Sequence, residues 1–377
     1  MRILLTGGGT SGHVNPALAI ADIIKAKHPD AYFGYIGTEK GIEKRLVEKE
    51  GYEYHSIKIQ GIQRSLSPKN IKAAYFIMRA PAKAKKIIEK FKPDIVIGTG
   101  GYVCWAPLKA AAEMGIPTVV HESNSIPGLA VRKLENKVDL ILTNFKSTEE
   151  KLTQKQKVVH VGNPIRASFE GISKEEARKK LGIPDEIKFV ILSFGGSLGA
   201  PGLNEAAITV MKDFSLSHKD VMHFHAGGRN YYKNAMQMFS GYDLEKNPRL
   251  DLREYIYDMN LYMTAADLVI CRAGAMTLTE LAMMKKPAIL IPSPFVAENH
   301  QYKNALSLAQ SGAAVLIEQN TISDGKIIEQ VEKIYSDAAL RKDMADKISQ
   351  FSNPDVDTAI YGVINGLISG REKIKKK

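Results

Sequence analysis

Long apolar runs are missing from this 377-residue chain, and with them any segment of the roughly 20 residues that a membrane-spanning helix needs. The opening MRILLTGGG offers a handful of apolar residues before a glycine run, which argues against a secretory leader. Cysteine is nearly absent. Cys104 and Cys271 each lie inside an apolar run, a pattern that fits small buried side chains in a reducing compartment rather than a disulfide framework or a catalytic thiol. Low-complexity sequence is confined to the tail REKIKKK, which is expected to fray.

Acidic residues are scarce in one half only. Residues 1–162 hold 25 Lys and Arg against 15 Asp and Glu, whereas residues 163–377 hold 27 against 26, so the net charge of +11 belongs almost wholly to the first half. Within residues 58–92 ten cations, Arg64 among them, meet one acid, Glu89. Such a cluster faces nucleic acid, phospholipid headgroups or, in the plainest case, water. The stretch lacks aromatic interleaving and any nucleic-acid-binding motif, which turns the expectation away from nucleic acid. Between Lys69 and Lys92 a helical pattern carries Ile71, Tyr75, Phe76 and Met78 among cations that include Lys69, Lys72, Arg79 and Lys83, with Pro81 expected to kink or divide the helix. At least half of the apolar residues are expected to pack inward; the rest can rest at a headgroup boundary while the cations meet anionic lipid.

What is present in quantity is apolar residue, 44% of the chain, in short runs separated by helical patterns. RILLT, YFGYIG, YHSIKI, DIVIG, TVVHE, LILT and KVVHV fill the first half; KFVILSF, VMHFHAG, RLDLREYI, DLVICR, PAILIPS and AAVLIE fill the second. This alternation predicts an α/β chain with parallel sheets covered by helices, in two domains over residues 1–162 and 163–353. The polar stretch at 162–176 reads as the linker. A last helix pattern after Pro354, in residues 354–377, has no strand following it and packs back on one of the domains.

Each half opens alike, with a strand, a glycine-rich turn and a helix starting near Pro16 or Pro201. GGGTSGH spells G-x-G-x-x-G at Gly7, Gly9 and Gly12, and such a turn with the helix behind it makes an anion site from backbone N–H groups. A dinucleotide enzyme adds an acid at the end of the second strand, but that strand reads YFGYIG and Glu39 arrives late, so no NAD or other cofactor is expected. GGSLGA at Gly195–Ala200 is a second anion turn, with Ser197 as a hydroxyl donor. CRAGAMTLTE is a third, where Glu280 lies far enough along the helix to accept from two ribose hydroxyls. Asp355-Val356-Asp357 fits the spelling of a metal-binding acid pair but opens a helix, where acids complement the dipole, and no metal is expected. His223 and His225 share one face of a strand; lacking a third ligand nearby, they read as packing and polar contacts.

Taken in order, GGGTSGHVNPALA, IGTGGYVCWAP, IPTVVHESNSIPGL, GNPIR, SFGGSLGA, REYIYDM, ADLVICRAGAMTLTELA and ENHQYKNA resemble, nearly end to end, the MurG family of peptidoglycan synthesis. The resemblance implies a GT-B fold, two Rossmann-like domains facing a cleft, and inverting transfer of N-acetylglucosamine from UDP-GlcNAc to undecaprenyl-pyrophosphate-linked MurNAc-pentapeptide. It assigns uracil to Ile256 and the Ala275, Met276, Thr277 segment, the ribose to Glu280, nucleotide contacts to Ser197 and Arg166, and GlcNAc hydroxyls to Gln301 and Asn304. Thr10, Ser11, Gly12 and Asn124 approach the sugar end and the acceptor. It also implies a peripheral enzyme on the cytoplasmic face of the membrane. Ser11 and Leu198 depart from the family's more familiar GGTGGH and GGSQGA. For the base, His13 is the first candidate, since its ordinary pKa of about 6.5 is near operating pH, with Glu122 in reserve. Alternatives are another lipid-directed GT-B transferase and a UDP-GlcNAc 2-epimerase.

Overall fold

The computed structural model describes residues 1–61, 69–169, 171–296 and 299–375, with the backbone alone described for 69–72, 323–324 and 371–375. The chain divides into two compact units, Met1–Ala167 with Asn353–Lys377, and Ser168–Ser352.

Among the described residues the first unit holds seven strands: β1 (Arg2–Thr6), β2 (Tyr32–Thr38), β3 (Glu53–Ile57), β4 (Ile95–Gly98), β5 (Thr118–Glu122), β6 (Leu140–Thr143) and β7 (Val158–His160). They pair in the order β3-β2-β1-β4-β5-β6-β7, every pair parallel. The second unit holds β8 (Phe189–Phe194), β9 (Val221–Ala226), β10 (Leu250–Arg253), β11 (Leu268–Cys271), β12 (Ala288–Leu290) and β13 (Val315–Leu316), ordered β10-β9-β8-β11-β12-β13 and again all parallel. All thirteen apolar runs are strands. Central strands such as β4, β5 and β8 are buried at every position, because crossover helices cover both faces of a parallel sheet. The order of each sheet reverses once, between β1 and β4 and between β8 and β11. Loops leaving these strands at their carboxyl ends form the crevice where ligands of open α/β sheets bind.

Several expectations are corrected. Residues 163–167, Arg166 included, belong to the first unit, not the second. The expected linker, 162–176, ends inside a helix, Lys174–Lys180, started by a reciprocal cap between Ser173 and Glu176. The helix Lys69–Phe91 runs unbroken through Pro81. Its inward face, Ala73, Ala80, Ala84, Ile88 and Phe91, is buried, and that packing outweighs the one backbone hydrogen bond a proline removes. The final helix, Val356–Lys375, returns to the first unit: Ile360, Ile364 and Ile368 are buried and Tyr361 hydrogen-bonds His28 at 2.9 Å. Asp357 lies in its first turn, at the positive end of the dipole. Lys376 and Lys377 lie outside the described residues, as does Arg64. No helix among the described residues is long and apolar enough to cross a membrane.

Candidate functional site

In the first unit the turn after β1 leads through Thr10 into the helix Ser11–Lys27, whose amino end carries no side-chain cap from Thr10. That end is the positive pole of the helix dipole, which favours an anion or a polar ligand. Ser11 is the first helical residue, and its φ lies outside the left-handed region, so a side chain there causes no strain. His13 is half-buried in the next position but one. Its Nδ1 lies 3.2 Å from the carbonyl oxygen of Thr99, and the Thr99 hydroxyl returns a bond to the His13 carbonyl. A carbonyl only accepts, so Nδ1 carries the proton and Nε2 keeps the lone pair of the neutral ring. The ring has room because the turn after β4 is glycine: a Cβ on Gly100 (φ +96°) would stand 2.8 Å from Nδ1. Burial lowers the His13 pKa, while the charge of Glu122 and the Thr99 carbonyl act against that shift.

Glu122, at the end of β5, is buried with both oxygens engaged. One accepts from the Asn124 N–H and side-chain amide at 3.0 Å each, the other from the Gly128 N–H at 2.8 Å. It organises the loop that holds Asn124 and supplies a negative field to His13, and it would have to give up those bonds to act as a base. Cys104 is buried with its thiol pushed up to about 12, unsuited to nucleophilic work. Arg166 makes ion pairs with Asp22 at 2.7 Å and Glu50 at 2.8 Å in the same unit, so contact with a nucleotide would require exchanging one of them.

In the second unit, the Gly195–Ala200 turn follows β8 and leads into the helix Pro201–Val210. Ser197 is buried in this turn, while Leu198 exposes its side chain. After β11 the chain passes Arg272 to Gly274 and enters the helix Ala275–Met283, again with no side-chain cap. Ala275 and Met276 are buried, Thr277 half-buried, and Ile256 is buried in the segment after β10. Glu280 is 8% exposed, and burial pushes its carboxyl up to about 8. A desolvated carboxyl beside a glycine-started helix is suited to accept from hydroxyls. Gln301 accepts from the Ser293 N–H at 2.9 Å, and Asn304 donates to the Ala273 carbonyl at 3.4 Å, so both brace the loops around that helix start.

Arg272 was not among the sequence candidates. Its guanidinium donates to the Ile291 and Pro292 carbonyls at 2.8 and 2.9 Å and to Gln319 Oε1 at 2.6 Å, tying the β11 and β12 exits together. Gln319 in turn packs where Gly202 lacks a Cβ. An arginine that breaks an apolar strand end was the available signal; its partners, 19 to 47 residues away, were not readable.

On the helix Lys69–Phe91, Tyr75 is 47% and Met78 72% exposed, Arg79 and Lys83 are exposed, and Phe76 is half-buried edge-on to Tyr75. The Arg79 guanidinium lies over the Tyr75 ring at 5.3 Å and bonds its hydroxyl. The side chains of Lys69 and Lys72 lie outside the described set.

Comparison with known proteins follows the same division. The glycosyltransferase family 28 N-terminal domain matches residues 3–143 and the family 28 C-terminal domain residues 190–359. A protein of Acetivibrio thermocellus named UDP-N-acetylglucosamine–N-acetylmuramyl-(pentapeptide) pyrophosphoryl-undecaprenol N-acetylglucosamine transferase is 40% identical over 374 residues, covering 98% of this chain and 99% of the relative. The crystal structure of MurG from Acinetobacter baumannii superposes with a TM-score of 0.65 at 27% identity, covering 97% of this chain and 99% of that one. A UDP-GlcNAc 2-epimerase from Neisseria meningitidis, solved with UDP-GlcNAc, gives 0.68 at 14% identity, covering 98% of this chain and all of its own, a likeness of fold alone. The fold is that of the GT-B class, and with 40% identity held across nearly the whole of both chains, this chain belongs to glycosyltransferase family 28 and, within it, to the MurG family.

Proposed function

We propose that the chain transfers N-acetylglucosamine from UDP-GlcNAc to the 4-hydroxyl of MurNAc on undecaprenyl-pyrophosphoryl-MurNAc-pentapeptide, with inversion at the anomeric carbon. The observation that carries the chemistry is His13. The Thr99 carbonyl holds the proton on Nδ1, and Nε2 is left to take the proton of an attacking hydroxyl. As the acceptor oxygen bonds to C1 of the sugar, the C1–O bond to the diphosphate breaks and its electron pair leaves on UDP. The Glu122 carboxylate stabilises the imidazolium that results.

The second unit holds the donor. Glu280 accepts from the ribose hydroxyls, Ile256 and the Ala275–Thr277 segment flank the uracil, and Gln301 and Asn304 read the sugar. Negative charge growing on the diphosphate meets backbone N–H groups of the Gly195–Ala200 turn with Ser197, and the amino ends of the helices starting at Pro201 and Ala275. Thr10, Ser11, Gly12 and Asn124 on the first unit face the acceptor. The enzyme works at the cytoplasmic face of the membrane, held peripherally by the exposed Tyr75 and Met78 with Arg79 and Lys83 around them.

Incubation with labelled UDP-GlcNAc and a lipid-linked MurNAc-pentapeptide tests this reading. Label is expected in a lipid-linked disaccharide, with release of UDP. Label that stays out of the lipid, or UDP-ManNAc formed without any acceptor, overturns it.

A further inference from the structure

The two histidines on β9 have a role beyond filling the core. Both are fully buried, and they belong to a hydrogen-bonded chain that ends at Gly227, which packs against the Gly195–Ala200 turn. Asn204, in the first turns of the helix Pro201–Val210, points its amide nitrogen at the carbonyl oxygen of Gly227, 2.9 Å away, and its Oδ1 at His225 Nε2, 3.1 Å away. The Gly227 carbonyl only accepts, which fixes the amide orientation and requires the proton of His225 on Nε2. Nδ1 of the neutral ring then accepts from the Ser193 hydroxyl at 2.8 Å. Ser193 Oγ accepts in turn from His223 Nε2, also at 2.8 Å, and His223 Nδ1 accepts from Ser215 at 3.2 Å. Each member between the two ends donates one bond onward and accepts one, all in one direction, from Ser215 in the π-helical turn Met211–Ser215 to Gly227. The Ser193 carbonyl, 3.0 Å from His225 Nδ1, would gain a donor only if the ring took a second proton, and burial opposes that.

Gly227 is where the chain meets function. A Cβ on Gly199 (φ +83°) would lie 2.2 Å from the Gly227 oxygen, and one on Gly228 would lie 2.1 Å from Gly199 N, so the two backbones are in direct contact. Two further bonds join them, from Arg229 N–H to the Ser197 carbonyl at 3.2 Å and from Asn230 N–H to the Leu198 carbonyl at 3.0 Å. The Gly195–Ala200 turn therefore packs on the Gly227–Asn230 segment, which is held by Asn204 on the Gly227 carbonyl and by Gly227 and Gly228 N–H bonds to the Arg253 and Glu254 carbonyls at 2.8 and 3.0 Å.

We infer that the buried Ser215–His223–Ser193–His225–Asn204 chain is a positioning device, in which Asn204, through Gly227, sets where the Gly195–Ala200 N–H groups meet the diphosphate of a nucleoside diphosphate sugar. This rests on the reading of that turn as the diphosphate contact. Asn204 touches no substrate; it acts through backbone.

Binding of UDP and of uridine to the full chain, measured side by side, tests it. In Asn204→Leu, UDP is expected to bind about tenfold more weakly while uridine stays within about twofold, with KM for UDP-GlcNAc rising more than kcat falls. A loss shared equally by UDP and uridine marks a merely structural role and overturns the inference, as does no loss at all. If Asn204→Leu does not fold, Asn204→Asp replaces it; this variant keeps the shape and the acceptor for His225 but sets an oxygen against the Gly227 carbonyl, and the same selective loss is expected. Wild type that binds uridine as tightly as UDP overturns the reading of the turn and this inference with it. Discrimination in wild type that survives in the Asn204 variants overturns this inference alone.

Discussion

The turn after β1 and the turn after β8 are built by the same rule, at the reversal point of a parallel sheet, yet their surroundings are opposite in kind. Around the first stand a half-buried imidazole, a carboxylate whose field reaches it, and a unit carrying most of the excess positive charge. Beneath the second lies a core of neutral polar groups with two histidines held unprotonated, and the helix after the neighbouring β11 carries a buried carboxyl pushed toward its protonated form. On the proposed function, one architecture thus serves two tasks. A proton-transfer site needs a titratable group poised near neutral pH, whereas a site for a leaving diphosphate needs dipoles that do not move.

The contrast is broken most forcefully through pH. Burial pushes Glu280 up to about 8 from an ordinary value near 4.5, so between those limits the folded state binds more protons and stability falls as pH rises. Burial lowers His225 to about 4 and His223 well below its ordinary 6.5, so the stability they allow is complete above 6.5 and lost as pH drops. These three groups give the second unit a stability maximum near pH 6.5, falling by about 2 kcal/mol toward pH 8 and by about 1.4 kcal/mol per pH unit below the maximum. In the first unit, His121, lowered to about 4, gives only the acid-side loss. Hydrogen exchange across pH 5 to 8 reads the units separately, and Glu280→Gln is expected to remove the alkaline decline of the second unit alone. Parallel profiles in the two units contradict the comparison.

His13→Ala is expected to lower turnover about 10²-fold or more with UDP affinity nearly unchanged, because the proposed base and donor contacts belong to different units. Single-turnover rates beside UDP titration separate the two effects. Near-normal turnover across pH 6 to 9 would pass the role to solvent or to a Glu122 freed from its three donors.

Much of the fold was legible because strand runs, glycine turns and helix starts are local patterns. Thirteen apolar runs became thirteen strands for that reason. His13 and Glu280 were legible as candidates from their spacing after a strand and a glycine turn. Their state was not: the proton on His13 Nδ1 depends on Thr99, 86 residues away, and the raised carboxyl depends on which helix face packs inward. The same limit explains Arg166, whose partners Asp22 and Glu50 lie more than a hundred residues earlier and draw it into the first unit. Asn204 and Arg272 escaped notice because an amide in a helix and an arginine at a strand end acquire meaning only from distant carbonyls.

A smaller effect sharpens the donor side. Glu280→Ala is expected to weaken UDP binding by about 1–3 kcal/mol, the scale of a lost hydrogen bond to a charged group. Hydroxyls donating to the carboxylate favour its ionised form, so binding near neutral pH releases a proton and wild-type affinity for UDP rises from pH 6 to 8. Titrations at three pH values in the wild type and in Glu280→Gln check this; a flat wild-type profile means that the carboxyl does not meet the ribose.

The smallest expected effects concern the proposed membrane contact on the first unit. On the helix Lys69–Phe91 the inward residues are buried in the core, so changes at Arg79 and Lys83, on the exposed side, leave the packing intact. A cation near an anionic leaflet contributes about 1 kcal/mol, so Arg79→Gln and Lys83→Gln should each weaken binding to phosphatidylserine-containing vesicles about fivefold, and the pair should be close to additive. Arg79 also covers the Tyr75 ring, so its replacement exposes aromatic surface that can enter the headgroup layer and recover part of the loss. Lys83→Gln is therefore expected to be the larger of the two. Lys233→Gln, an exposed cation of the second unit, is the control and should leave vesicle binding unchanged. Cosedimentation at two salt concentrations, beside turnover on a short-chain, water-soluble acceptor, separates adhesion from chemistry. Equal losses from Lys83 and Lys233 would mean that charge acts through the whole molecule and that the first unit presents no membrane face of its own.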